Sequence, residues 1–146
     1  MPVVSQDLTE DGAVIEVLVG VHNERREMLR KHSFPVPQRV RARLQVDTGS
    51  NVTVIRGEVF QQLGIQEIDS VLARPLATTE EPQRFPQFPA SLSLLCEGME
   101  MHLPSVSVLG CLMTPADRVD GILGRDVLDH CLFVYDGRGR RFSLAF

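Results

Sequence analysis

This sequence predicts an all-β fold, and three observations carry that prediction. Apolar, β-branched runs of strand length recur along the chain, at residues 13–21, 40–46, 92–95, 99–109 and 142–146. Turn signals rich in Gly, Pro, Asn and Asp separate them. Helical character is confined to short stretches near residues 24–31, 56–63 and 125–131, too little to build a helical layer. With 146 residues, 43% of them hydrophobic, the chain can bury one core without disulfide or metal staples. Residues 1–12 are expected to be an N-terminal extension and residues 13–146 a single domain.

The first strand is expected over Ala13–Val21, whose weak alternation fits burial on much of both faces. Residues 22–39 are polar and rich in Arg and Glu, an exposed excursion closed by Phe34-Pro35-Val36-Pro37. Within it Asn23 is expected to cap a short helix over Glu24–Lys31, with Met28 and Leu29 resting on the core. A charge run of this kind is usually a solvated face; its functional alternative is a basic docking patch. Val40–Val46 alternates cleanly and puts Val40, Ala42, Leu44 and Val46 on one face. A helical turn over Arg56–Leu63, closed by Gly64, follows. Residues 71–95 offer two apolar strands around the polar bend 77–85. Further strands are expected at Leu92–Leu95 and Met99–Leu109, with a turn at Glu97-Gly98. At the end, Leu132–Tyr135, the Asp136-Gly137-Arg138-Gly139 turn and Phe142–Phe146 read as a hairpin. Its last strand would be an exposed edge in a monomer.

Composition narrows the function. A net charge of −4 argues against a nucleic-acid partner, whose recognition rests on basic surface. The apolar runs are too short to span a bilayer, so no membrane partner is expected. Cys96, Cys111 and Cys131 have neither Cys-x-x-Cys spacing nor a nearby histidine array, so no metal and no cofactor are expected. They read as free thiols, and with no leader visible at Met1–Asp7 the expected setting is a reducing, cytoplasmic one. His22, His32, His102 and His130 form no Ser-His-Asp or Cys-His constellation by spacing.

The chemistry concentrates at residues 44–55. A β-rich run ending in Val46 delivers Asp47 into the tight turn Thr48-Gly49-Ser50, and a second β-branched run leads away through Asn51. A carboxylate at the end of a strand sits on rigid backbone, with two hydroxyls beside it. An ordinary β-turn beginning with Asp is the bland alternative. A bare Asp-Thr-Gly arises by chance in roughly 3% of chains this long, so the tripeptide alone decides nothing. A second element decides it: Gly121-Ile122-Leu123-Gly124-Arg125-Asp126-Val127-Leu128, downstream.

Together these segments resemble the active-site turn and the later hydrophobic-Gly element of aspartic proteases. The Gly-Arg-Asp form is similar to that of the retroviral-type, single-domain retropepsins, and the resemblance covers roughly residues 13–146. It implies a retropepsin-like acid-protease fold, a closed barrel-like sheet with one short helix after Gly124-Arg125-Asp126. It also implies an aspartic endopeptidase acting on polypeptides. The chemistry needs two carboxylates, one ionised and one protonated. The chain has one such turn, so the resemblance implies a homodimer with Asp47 contributed twice. In the relatives the terminal strands of both subunits interleave into the dimer sheet.

The same resemblance assigns roles. Asp47 would be catalytic, Thr48 would cross-link the two turns, and Gly49 would present its carbonyl to substrate. Ser50, Ala in most retroviral enzymes, is expected to donate to the carboxylate, which would lower the pH optimum and make Ser50→Ala shift the acid limb upward. Ile122, Leu123 and Gly124 would support the turn. Arg125 braces an Asp in the relatives; that position is Asn51 here, so the ion pair is either weakened to a charge–dipole bond or rerouted to Asp126 or Asp129. A substrate flap is expected around Thr78, Thr79, Glu80, Glu81 and Phe85, without the glycine-rich tip of the family. The competing reading is a non-catalytic peptide-binding or dimerisation module on the same fold. Retention of Asp47 opposes it, because Asn would keep the turn without the chemistry.

Overall fold

The computed structural model describes residues 1–74, 81–96, 98–113 and 117–146. Its elements, in order, are β1 (Val3–Asp7), β2 (Val14–Val21), α1 (Asn23–Lys31), β3 (Val40–Val46), β4 (Val54–Arg56), α2 (Gly57–Gln62), β5 (Asp69–Ala73), β6 (Gln83–Cys96), β7 (Met99–Cys111), β8 (Gly121–Leu123), α3 (Arg125–Leu128), β9 (Leu132–Asp136) and β10 (Arg141–Ala145). The sheet order β2-β3-β8-β4-β7-β6 closes on itself through a β2–β6 pairing, giving a six-stranded barrel with β5 hung on the outside of β6. Alternation works as expected in β3, where Ala42 and Leu44 face inward and Arg41 and Arg43 outward. The core holds Ile15, Val17, Val19, Leu44, Ile55, Leu92, Leu94 and Leu123, all at most 1% exposed, capped by Phe60 of α2 stacked on Phe88 at 4.2 Å.

Several local expectations change. Asn23 is not the cap of α1; His22 occupies that position, and the Asn23 amide instead donates to Glu27 and accepts from Arg26 within the helix. No α1 residue is buried, and Met28 is 53% exposed rather than resting on the core. The polar helix gains nothing by burying a face that carries Arg and Glu on every side. The two strands expected within residues 71–95 are β5 and β6, but β6 already begins at Gln83, inside the expected bend, and runs without a break through Leu92–Leu95; a bulge between Ala90 and Leu92 absorbs its irregularity. Helix α3 is one turn long, and Gly98 supplies the left-handed turn between β6 and β7 (φ 84°), while Glu97 lies outside the described residues.

The segment expected to be an N-terminal extension contains β1, which pairs antiparallel with β10, Val4 opposite Leu144. β10 is therefore the middle strand of a three-stranded sheet ordered β1-β10-β9, not the exposed edge expected for a monomer. Its Phe142 and Leu144 are buried, which is why an apolar last strand is tolerated. The outer edge of β9 takes over the unpaired position, with Leu132 and Val134 60% and 50% exposed. Cys96, Cys111 and Cys131 are free, and burial pushes the thiols of Cys111 and Cys131 up.

Candidate active site

Strand β8 threads between the strand that enters the Asp47 turn and the strand that leaves it. It runs parallel to β3, Val46 beside Leu123, and antiparallel to β4, Val54 beside Ile122. The Asp47 N–H donates to Leu123 O at 3.0 Å, and past the turn Arg125 N donates to Ser50 O at 2.9 Å. This crossing brings Asp47, Thr48, Gly49, Ser50, Asn51, Ile122, Leu123, Gly124 and Arg125 into one constellation. It works only if Gly121, which opens β8, and Gly124, which follows it, carry no side chain. A Cβ on Gly124 would meet Val52 O at 2.5 Å, and one on Gly121 would collide with the Val54 carbonyl.

Asp47 is half-buried, while Thr48 and Gly49 are exposed. Its Oδ1 accepts the Gly49 N–H at 2.9 Å; among the described residues Oδ2 has no donor. One oxygen is thus held by the turn and the other is not. Arg125 holds the turn from below: Nη1 donates to Thr48 O at 3.1 Å and Nη2 to Asn51 Oδ1. The charge–dipole bond to Asn51 therefore holds, and the rerouting to Asp126 or Asp129 does not occur.

Ser50 departs from expectation. Its hydroxyl donates to Val52 O at 2.7 Å, two residues on, and does not reach Asp47. A serine hydroxyl next to a turn readily satisfies a local carbonyl, and that local bond wins here.

Sequence reasoning missed the pair that clamps the two elements together. Asp126 accepts the Thr53 N–H at 2.9 Å and the Thr53 hydroxyl at 2.7 Å, and that hydroxyl accepts the Gly124 N–H at 3.0 Å. Thr53 is fully buried. The available signal was parity: Thr53 shares the inward face of Ile55, and a buried hydroxyl needs an internal partner.

Beside the turn lies a mostly apolar groove of about 420 Å³, lined by Ser50, Val52, Val54, Phe85, Cys111 and Ile122 among others. Phe85 of the expected flap reaches it from β6, where it pairs with Val71 of β5. Glu81 precedes that hairpin strand and is exposed; Thr78, Thr79 and Glu80 lie outside the described residues. No cluster of three His, Cys, Asp or Glu among the described residues is arranged to hold a metal ion, and no described helix is long and apolar enough to cross a membrane.

The family model for aspartyl proteases matches residues 36–127, from the approach to β3 into α3. Among solved structures the fold is similar to that of a retropepsin-like aspartic protease from Rickettsia conorii, with a TM-score of 0.58 at 16% identity, over 99% of this chain and 90% of that one. A comparison with curated proteins finds no match.

Proposed function

Since the chain belongs to the aspartyl protease family, we propose that it is an endopeptidase that hydrolyses polypeptides as a homodimer, with Asp47 contributed once by each copy. The observation that carries this is the single carboxylate at the braced turn, one oxygen held by Gly49 and the other open, beside a groove wide enough for an apolar side chain. Two such carboxylates brought together on a two-fold axis cannot both ionise cheaply, so the pair shares one proton. The ionised partner takes a proton from a bound water as that water attacks the scissile carbonyl. The protonated partner donates to the carbonyl oxygen, and the tetrahedral intermediate collapses as the leaving amine is protonated. In the dimer Thr48 meets the second turn and Gly49 the substrate backbone; the exposure of both residues supports this reading. The β5–β6 hairpin that carries Phe85 serves as the flap, closing the groove and excluding bulk water. For the second copy, the free edge of β9 is the favoured surface: it is apolar where the outer edge of β1 carries Ser5, Gln6 and Asp7, and it follows directly from α3. Three unpaired thiols support a reducing compartment.

The test compares wild type with Asp47→Asn on a mixed peptide substrate at acidic pH, with an excess of mutant added to wild type as a third sample. The mutant is expected to lose hydrolysis by roughly a thousandfold or more, and its excess to suppress wild type by forming dimers with one working carboxylate. Cleavage by the mutant at near wild-type rate would reduce Asp47 to a structural turn residue. A wild type that binds peptides without cleaving them at any pH would favour the non-catalytic module.

A further inference from the structure

Charge is unevenly distributed along this acidic chain. Residues 22–43 hold seven of the 15 basic residues and only two of the 19 acidic ones, Glu24 and Glu27. Within α1, Arg25, Arg26, Arg30 and Lys31 have no carboxylate within ion-pair distance among the described residues; Glu27 is engaged by Asn23 instead. No residue of the helix is buried.

The helix ends in a way that puts apolar surface beside this charge. Ser33 N donates to Arg30 O at 3.1 Å and Phe34 N to Leu29 O at 2.8 Å, a paired 5→2 and 6→1 closure with Ser33 left-handed at φ 55°. Glycine is the usual residue there; serine holds the same turn at some backbone cost. The closure sets Phe34 against Leu29, still 63% exposed. Met28, Leu29, Phe34 and Leu63, rimmed by Arg25 and His32, line a groove of about 510 Å³. This pole is not the active site. α1 joins the end of β2 to the start of β3, and Asp47 follows the other end of β3, roughly 23 Å away at the rise of an extended strand.

We propose that this groove is a docking site for an acidic peptide segment that carries one large apolar side chain. The apolar residue fills the space over Leu29 and Phe34 while its acidic neighbours meet Arg25 at the rim, with Arg30 and Lys31 elsewhere on the same helix adding longer-range attraction. Charge complementarity selects the acidic partner. Apolar lining and the two glutamates on the same helix select peptide over nucleic acid, whose binding rests on a continuous basic surface. Occupation of the site needs no catalysis, so this inference stands apart from the proposed protease activity.

The test is fluorescence anisotropy with a labelled peptide of glutamates around one phenylalanine, against three controls. These are the same peptide with Gln for Glu, the same peptide with Ala for Phe, and a single-stranded oligonucleotide of equal length. Wild type is expected to bind the acidic Phe peptide, more weakly as salt rises, and each control roughly tenfold less tightly or worse. Arg25→Glu and Phe34→Ser, both at exposed positions that line the groove, are each expected to weaken binding by a similar factor, with hydrolysis of a short uncharged peptide unchanged. Absence of binding by folded wild type, equal affinity for any control, or indifference to both substitutions would overturn the proposal.

Discussion

The Asp126 carboxylate leaves the first turn of α3 and accepts both the N–H and the hydroxyl of Thr53, so one side chain ties the helix to the strand leaving the Asp47 turn. Removing it leaves a buried backbone donor without a partner, which costs more than the bond was worth when made. Asp126→Ala is expected to destabilise the chain by about 2–4 kcal/mol, measured by urea unfolding, and to lower activity further than that loss explains, because Gly124 and the turn lose their common anchor. A loss below about 0.5 kcal/mol would mean water replaces the carboxylate freely. Ser50 gives the opposite case. Since its hydroxyl is spent on Val52 O, Ser50→Ala is expected to cost about 1 kcal/mol of stability and to leave the acid limb of the rate profile in place; an upward shift of that limb would show that the hydroxyl reaches the carboxylate in the working dimer. At this scale the sequence was legible where residues act through their neighbours in the chain, as Asp47 with Gly49 does. The Arg125–Asn51 contact was anticipated through the resemblance as one of two outcomes. Thr53–Asp126 was hidden because its partners are 73 positions apart and nothing in either segment names the other.

Elements were legible in proportion to how much of their apolar pattern is local. β2, β3 and the β9–β10 hairpin carry their own alternation, and α2 carries its own stop at Gly64, left-handed at φ 65°. β1 carries two valines and is a strand only because β10, at the other end of the chain, supplies its hydrogen bonds. That pairing moves the open edge from β10 to β9, and with it the surface that a second copy would use. Val134→Lys puts a charge on that edge without touching the core. It is expected to raise the dimer dissociation constant by roughly tenfold or more, read by sedimentation, with the monomer's melting temperature unchanged; an unaltered dimer would move the interface elsewhere. Strands β6 and β7 meet a different constraint at Glu100. The Ser93 hydroxyl, then the Arg39 guanidinium, hold its carboxyl below the usual range. A carboxyl lowered in the folded state stabilises above its unfolded value, near 4.5, and loses that contribution as pH falls through the folded one. Glu100→Gln is therefore expected to show a shallower fall of stability between about pH 5 and pH 3 than wild type, measured by denaturant titration at each pH. Parallel curves would remove Glu100 from the acid response.

For the whole molecule, the barrel closes within one chain: β2 pairs with both β3 and β6, and the core residues from Ile15 to Leu123 are covered without help from a second copy. The proposed catalytic centre has no such independence, since one chain supplies one Asp47. Folding and activity should therefore separate on dilution. Specific activity is expected to fall as concentration drops through the dimer dissociation constant, while circular dichroism and the unfolding midpoint stay constant, because the monomer keeps its core. The charge at the centre sharpens the comparison. Two carboxylates on a two-fold axis repel unless they share a proton, so Asp47→Asn, which removes the repulsion, should dimerise at least as tightly as wild type even though it cannot hydrolyse. The pair of results forms one test. Constant specific activity down to concentrations where sedimentation shows only monomer would make a single Asp47 sufficient. Weaker dimerisation by Asp47→Asn would show that the two carboxylates do not face each other across the interface.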